Sequence, residues 1–75
     1  MSERGTTINC REFEAELAES YQEFAERAGV STVTLRKFFR GHAPIRRTTF
    51  NRISRSLRAE YELEIDPGKH FHPVR

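Results

Sequence analysis

Thr32, Val33, Arg36, Lys37 and Arg40 share one outward arc if residues 32–40 wind as a helix at 100° per residue. Their chemistry is complementary. A guanidinium is a rigid fork of donors that matches a phosphate or the paired acceptors on a guanine edge. An ammonium is a compact charge suited to phosphate. The threonine hydroxyl can bond a base edge, and the methyl groups of Thr32 and Val33 can pack on a thymine methyl. Ser31 stands just ahead of this arc, and Arg46, Arg47 and Thr48 follow it after a short gap. Such a set can grip a polyanion and read what it carries.

The charge distribution supports a polyanion. The net charge of +2 conceals three blocks. Residues 1–29 carry seven glutamates against Arg4, Arg11 and Arg27. Residues 30–59 carry eight Lys and Arg and no acid. Residues 60–75 carry four acids against Lys69 and Arg75. A basic middle between acidic ends is an electrostatic footprint for nucleic acid. The plainer account, a solvated helix face, fits Arg52, Arg55 and Arg58 equally well.

Other reactive types form no recognisable site. Cys10 is the only cysteine, so no intrachain disulfide is possible, and with no base indicated nearby it reads as a small core residue. His42, His70, His72 and Cys10 match no tight zinc spacing. The early glutamates fall on outward helix faces and read as solvated, not as paired catalytic carboxylates. Phosphate-loop and dinucleotide fingerprints are absent. Most aromatics fall on inward faces and read as core. The chain is expected to be no enzyme, with no cofactor, metal or small-molecule ligand. It has neither a signal-peptide pattern nor an apolar run of membrane-spanning length, so a soluble, cytoplasmic, nucleoid-associated protein is expected.

The elements that must position the basic arc are short capped helices. Asn9 and Glu12 match a capping box and predict a helix from Cys10 to near Ser20, with Cys10, Phe13 and Leu17 inward. Ser20 and Glu23 match a second box, predicting a helix over 21–28 that Gly29 ends. Ser31 caps a third over 32–39, which Gly41 stops. A loop around Pro44 leads to a fourth, from Arg46 or Arg47 to about Arg58, with Phe50, Ile53 and Leu57 buried. Beyond it Tyr61, Leu63 and Ile65 alternate with glutamates. This predicts a strand over 61–65, with continuation of the fourth helix through Tyr61 as the alternative. The strand would need a partner: residues 6–8, or the same segment of a second subunit. Residues 69–75 read as a loose tail.

The bend between the second and third helices needs a small contact residue, a glycine in the turn and apolar side chains at fixed offsets. Ala25, Gly29 and the set Phe24, Ala28, Val30, Leu35 and Phe38 supply them. The stretch FAERAGVSTVTLRKFFRG, residues 24–41, resembles the helix-turn-helix of the phage Cro/repressor-type (XRE-like) DNA-binding family. The similarity covers roughly residues 10–58 and includes Gly41, the Pro44 loop and RRTTFNRISRSL. TLRK also resembles the first helices of MerR-like and excisionase-like winged domains, but the fourth-helix pattern favours the Cro/repressor family. The resemblance implies a transcriptional regulator, most simply a repressor, that binds double-stranded DNA as a homodimer on a pseudo-palindromic operator. It carries Ser31, Thr32, Val33, Arg36, Lys37 and Arg40 onto positions that face the major groove or its flanking phosphates. Gln22 stands near the start of the second helix, where that family often sets a glutamine on a phosphate. Arg46, Arg47 and Thr48 could hold a neighbouring phosphate.

The expected fold is therefore all-α: a small four- to five-helix bundle with a helix-turn-helix, a short terminal β-strand being optional. It divides into an N-terminal arm (1–8), the DNA-binding domain (9–58) and an extension (59–75) holding a dimerisation strand and tail. The alternatives are an excisionase-like or architectural DNA-binding protein, and a protein-interaction module on the same fold.

Overall fold

The computed structural model describes residues 4–8, 10–41 and 43–74. Among them the elements run β1 (Arg4–Thr7), α1 (Arg11–Glu14), α2 (Tyr21–Ala28), α3 (Thr32–Arg40), β2 (Ile45–Arg46), α4 (Arg47–Tyr61), α5 (Pro67–His70) and β3 (Phe71–Pro73). The three strands form one antiparallel sheet in the order β2-β1-β3.

The all-α expectation is thus overturned, and the fold is mixed. The cause lies in the strands' brevity. Segments of four, two and three residues are too short to show a period, and their partners lie far away in sequence. Gly5 pairs with Ile45 on one side and with Pro73 on the other. A Cβ on Gly5 would lie 2.6 Å from the carbonyl oxygen of His72 and 2.7 Å from the Phe71 ring. The missing side chain is what lets Phe71 lie across the central strand.

The C-terminal third departs most from expectation. α4 continues through Tyr61, and Glu62 ends it in the left-handed region at φ 57°. Residues 62–66 join no strand ladder. Their alternation has another origin: Leu63 and Ile65 pack on the core while Glu62 and Glu64 face solvent. The turn at 66–68 then reverses the chain. The Asp66 carboxylate accepts from the Gly68 N–H at 2.8 Å and starts α5. Residues 71–73, expected in a loose tail, become β3 and pair with residues 5–7, which include two of the residues offered as one possible partner for the 61–65 segment.

The helices around the bend follow the sequence closely. The Ser20 Oγ accepts from the Glu23 N–H, and the Ser31 Oγ accepts from the Thr34 N–H. Gly29 takes φ 75°. The Gly29 and Val30 N–H groups return to the carbonyls of Glu26 and Ala25 at 3.4 and 3.0 Å, closing the end of α2 in the usual left-handed glycine motif. α1 is shorter than expected: beyond Glu14 the chain continues only as turns through Leu17. Glu12 and Glu16, like charges four residues apart, disfavour continuing that helix. The predicted Asn9 cap lies outside the described residues.

The core is aromatic. Phe24, Phe38, Phe39, Phe50, Leu35, Ile53 and Leu57 are completely buried. A line of ring contacts runs from Tyr21 on α2 to Phe39, Phe38, Phe50 and Phe71, with centroids 5.1–6.0 Å apart. Each such pair contributes about 0.5–1.5 kcal/mol beyond the area it buries. The line pins the inner face of α3 to α4 and to the sheet, which fixes what the outer face presents.

Candidate nucleic-acid interface

On α3, Leu35, Phe38 and Phe39 are buried, so the outer side of the helix is set by default. Val33, Arg36, Lys37 and Arg40 are exposed along it, and Thr32 is half-buried at its edge. Val33 is 56% exposed, the most open large apolar side chain among the described residues.

The other expected contacts separate into groups. Ser31 is exposed, but its hydroxyl is engaged by the cap and by Thr34 Oγ1 at 2.9 Å. Its job is to start the helix. Gln22 is exposed on the first turn of α2. Arg46 and Thr48 are exposed at the start of α4. Arg47 is half-buried with its guanidinium 5.4 Å from the centre of the Phe71 ring, a cation–π contact that holds it to the sheet.

The remaining arginines of the acid-free segment point elsewhere. Arg52 donates to the carbonyl of Gly29 at 3.4 Å, so α4 supports the turn of the bend. Arg55 and Arg58 line a groove with Asn51, Glu64 and Asp66. The fold therefore returns C-terminal acids to two cations that looked unopposed in the sequence. The basic surface that remains open centres on α3 and β2.

Sequence reasoning missed Arg4 and Thr34. Both line a second cleft with Lys37, Arg46 and Thr49. Arg4 arrives there through the strand register, in which it pairs with Arg46. No local pattern signals that register.

The acidic side of the molecule also holds more than a solvated face. Glu19 accepts from both Arg27 and the Tyr61 hydroxyl, and Arg27 also pairs with Glu60. Burial alone would lower the Arg27 pKa, but Glu19 and Glu60 outweigh it and raise the value. Burial, followed by the bond to Glu19, raises that of Tyr61. This cluster ties the entry of α2 to the end of α4. Burial pushes the Cys10 thiol up to about 11, and it donates to the carbonyl of Ile8 at 3.5 Å. It stays protonated at neutral pH, the opposite of an activated nucleophile.

Among the described residues no three of His, Cys, Asp or Glu gather as a metal site, and His42 lies outside them. Among the same residues no helix is long and apolar enough to cross a membrane. Comparison with protein-family models, curated proteins and solved structures gives no match.

Proposed function

We propose that this protein binds double-stranded DNA through α3 and regulates transcription, most simply as a repressor. In this reading it works as a homodimer on a pseudo-palindromic operator, on the nucleoid in the cytoplasm. It performs no catalysis and needs no cofactor. One observation carries the reading. Val33, Arg36, Lys37 and Arg40 stand exposed on one side of a helix whose other side is locked into an aromatic core. A helix of this kind fits the major groove, where Arg36 can fork onto a guanine and Thr32 and Val33 can meet a thymine methyl. Lys37, Arg40, Arg46 and Thr48 suit flanking phosphates, which set register more than sequence. In this reading Gln22, exposed on α2, is a further phosphate contact. The likeness of residues 24–41 to the Cro/repressor-type helix-turn-helix points the same way.

Duplex binding measured across a salt series tests this. Affinity should fall steeply as salt rises, because each phosphate contact releases counterions. No salt-sensitive affinity for any duplex at low ionic strength would end the proposal. Selection from a random duplex pool then separates a regulator from an architectural DNA-binding protein. A regulator returns a site with two half-sites about one helical turn apart, whereas an architectural protein returns little sequence preference.

A further inference from the structure

Arg4 on β1 and Arg46 on β2 are partners in the antiparallel ladder, and both are exposed. Like charges directly opposite one another on paired strands oppose the pairing. Here the β1–β2 register comprises only two residue pairs. Lys37 reaches the same cleft from α3 and makes a third cation. Among the described residues no acid lines the cleft. Three cations are brought together by three separate elements, with no carboxylate from the described residues beside them, a set suited to an anion.

The rest of the lining fits one kind of anion. Thr34 and Thr49 contribute hydroxyls. Thr34 Oγ1 already accepts from Ser31, which leaves its own proton to donate into the cleft. α4 begins at the cleft's edge. Its N-cap residue is Arg46, which supplies no capping side chain, and its first turn holds no acid. This is the end of a fifteen-residue helix where the helix dipole favours negative charge. Guanidinium forks, an ammonium and hydroxyl donors are together a donor set suited to phosphate.

We propose that this cleft binds a single phosphate, that the phosphate is one of the duplex backbone beside the groove read by α3, and that Arg4 is a DNA-contacting residue. This rests on the DNA-binding reading for the source of the phosphate, but not for the site itself. The bound phosphate neutralises the Arg4–Arg46 pair and so completes the β1–β2 ladder. Through Lys37, the same phosphate fixes the depth at which α3 sits.

Duplex affinity against KCl concentration, compared for the wild type and Arg4→Gln, tests the proposal. Arg4→Gln should weaken binding to every duplex alike by about tenfold and reduce the slope of log affinity against log salt by about 1. Arg46→Gln should act the same way, and the double variant should lose less than the sum, because both side chains serve one phosphate. Unchanged affinity and slope in Arg4→Gln would overturn the assignment. A second arm uses inorganic phosphate against chloride at matched ionic strength, read by thermal melting. Phosphate should raise the wild-type melting temperature more than chloride does, and Arg4→Gln should abolish the difference. If phosphate stabilises the wild type through Arg4 while no duplex binds, the anion site stands and the DNA-binding reading falls. If duplex binds normally to Arg4→Gln while phosphate stabilisation is lost, the duplex is not the source and the proposal fails. Arg4→Gln and Arg46→Gln each remove the like-charge pair, so both should melt at or above the wild type in low salt without phosphate. A lower melting point in both would show that the pair is not strained, and would overturn the argument.

Discussion

The hydroxyl of Thr7, in the central strand, donates to the carbonyl of Phe38, in the last turn of α3. Thr7 is the buried polar residue of the described core, at 3% exposure. The helix that presents the basic face is therefore closed at its C-terminal end by a strand. Thr7→Val keeps the shape and removes the donor, leaving a buried carbonyl without that partner. The expected cost is about 1–3 kcal/mol in urea unfolding. DNA affinity should fall to a similar extent for all sequences, because the helix end is loosened while no base contact is lost.

Gly41 and Gly29 both sit at positive φ, 68° and 75°, yet they should respond very differently to alanine. A Cβ at Gly29 meets nothing nearer than an Arg52 nitrogen at 3.9 Å, so only the left-handed backbone resists, at roughly 1–2 kcal/mol. A Cβ at Gly41 would land on the carbonyl of Thr7, which is sheet backbone and cannot step aside. Gly41→Ala should cost clearly more than Gly29→Ala in chemical denaturation. Equal losses would mean that the strand and the helix end are not in contact.

Glu62 ends α4 at φ 57°, where a side chain is unfavourable by roughly 1–2 kcal/mol. Glycine would remove that cost and give back about 0.5–1 kcal/mol through the freer unfolded chain. Because Glu62 is exposed, Glu62→Gly should stabilise the protein by about 0.5–1 kcal/mol. Thermal melting would show this as a higher midpoint.

Arg36 and Lys37 are neighbours on the exposed side of α3 with different assigned jobs. Arg36→Ala should flatten base preference, with about 1–3 kcal/mol of discrimination lost at one position of the site. Lys37→Ala should weaken binding to all duplexes and lower the salt slope. A panel of single-base operator variants, titrated against both proteins, separates the two. The reverse pattern would exchange their roles.

Cys10 gives a pH dependence. Its folded pKa stands at about 11, above the usual 9.0, so the folded protein holds this proton more tightly than the unfolded chain does. Its contribution to stability is intact below pH 9 and is lost as pH rises toward 11. The loss approaches about 2–3 kcal/mol by pH 11. Raised in the same direction, Tyr61 adds to the decline at the alkaline end. Urea unfolding at pH 8 and pH 10.5 should show a smaller difference for Cys10→Ala than for the wild type.

What could be read from the sequence was whatever is local. The Ser20 and Ser31 caps, Gly29, Gly41 and the buried face of α3 all follow from spacing within a few residues, and each stands as expected. Pairing was not local. Nothing near Arg4 or Phe71 announces a strand, because Gly5 breaks any alternation in β1 and β3 spans only three residues. The alternation at 61–65 belonged to a chain laid over the core, not to a ladder. The surroundings of Arg55 and Arg58, for which a solvated face fitted equally well, were not local either: Glu64 and Asp66 reach their groove from the chain beyond α4.

β1 lies between a strand that follows the third helix and one that follows the fifth. The helical bend can close on contacts a few residues apart, while β1 must wait for distant partners and the loop-closure entropy they carry. The sheet should therefore assemble after the helices. Until it does, a chain with α3 already wound would have no Thr7 at the helix end and no Arg4 in the cleft. DNA competence would then arrive as the last step of folding, and a short segment near residue 72 would decide when it does.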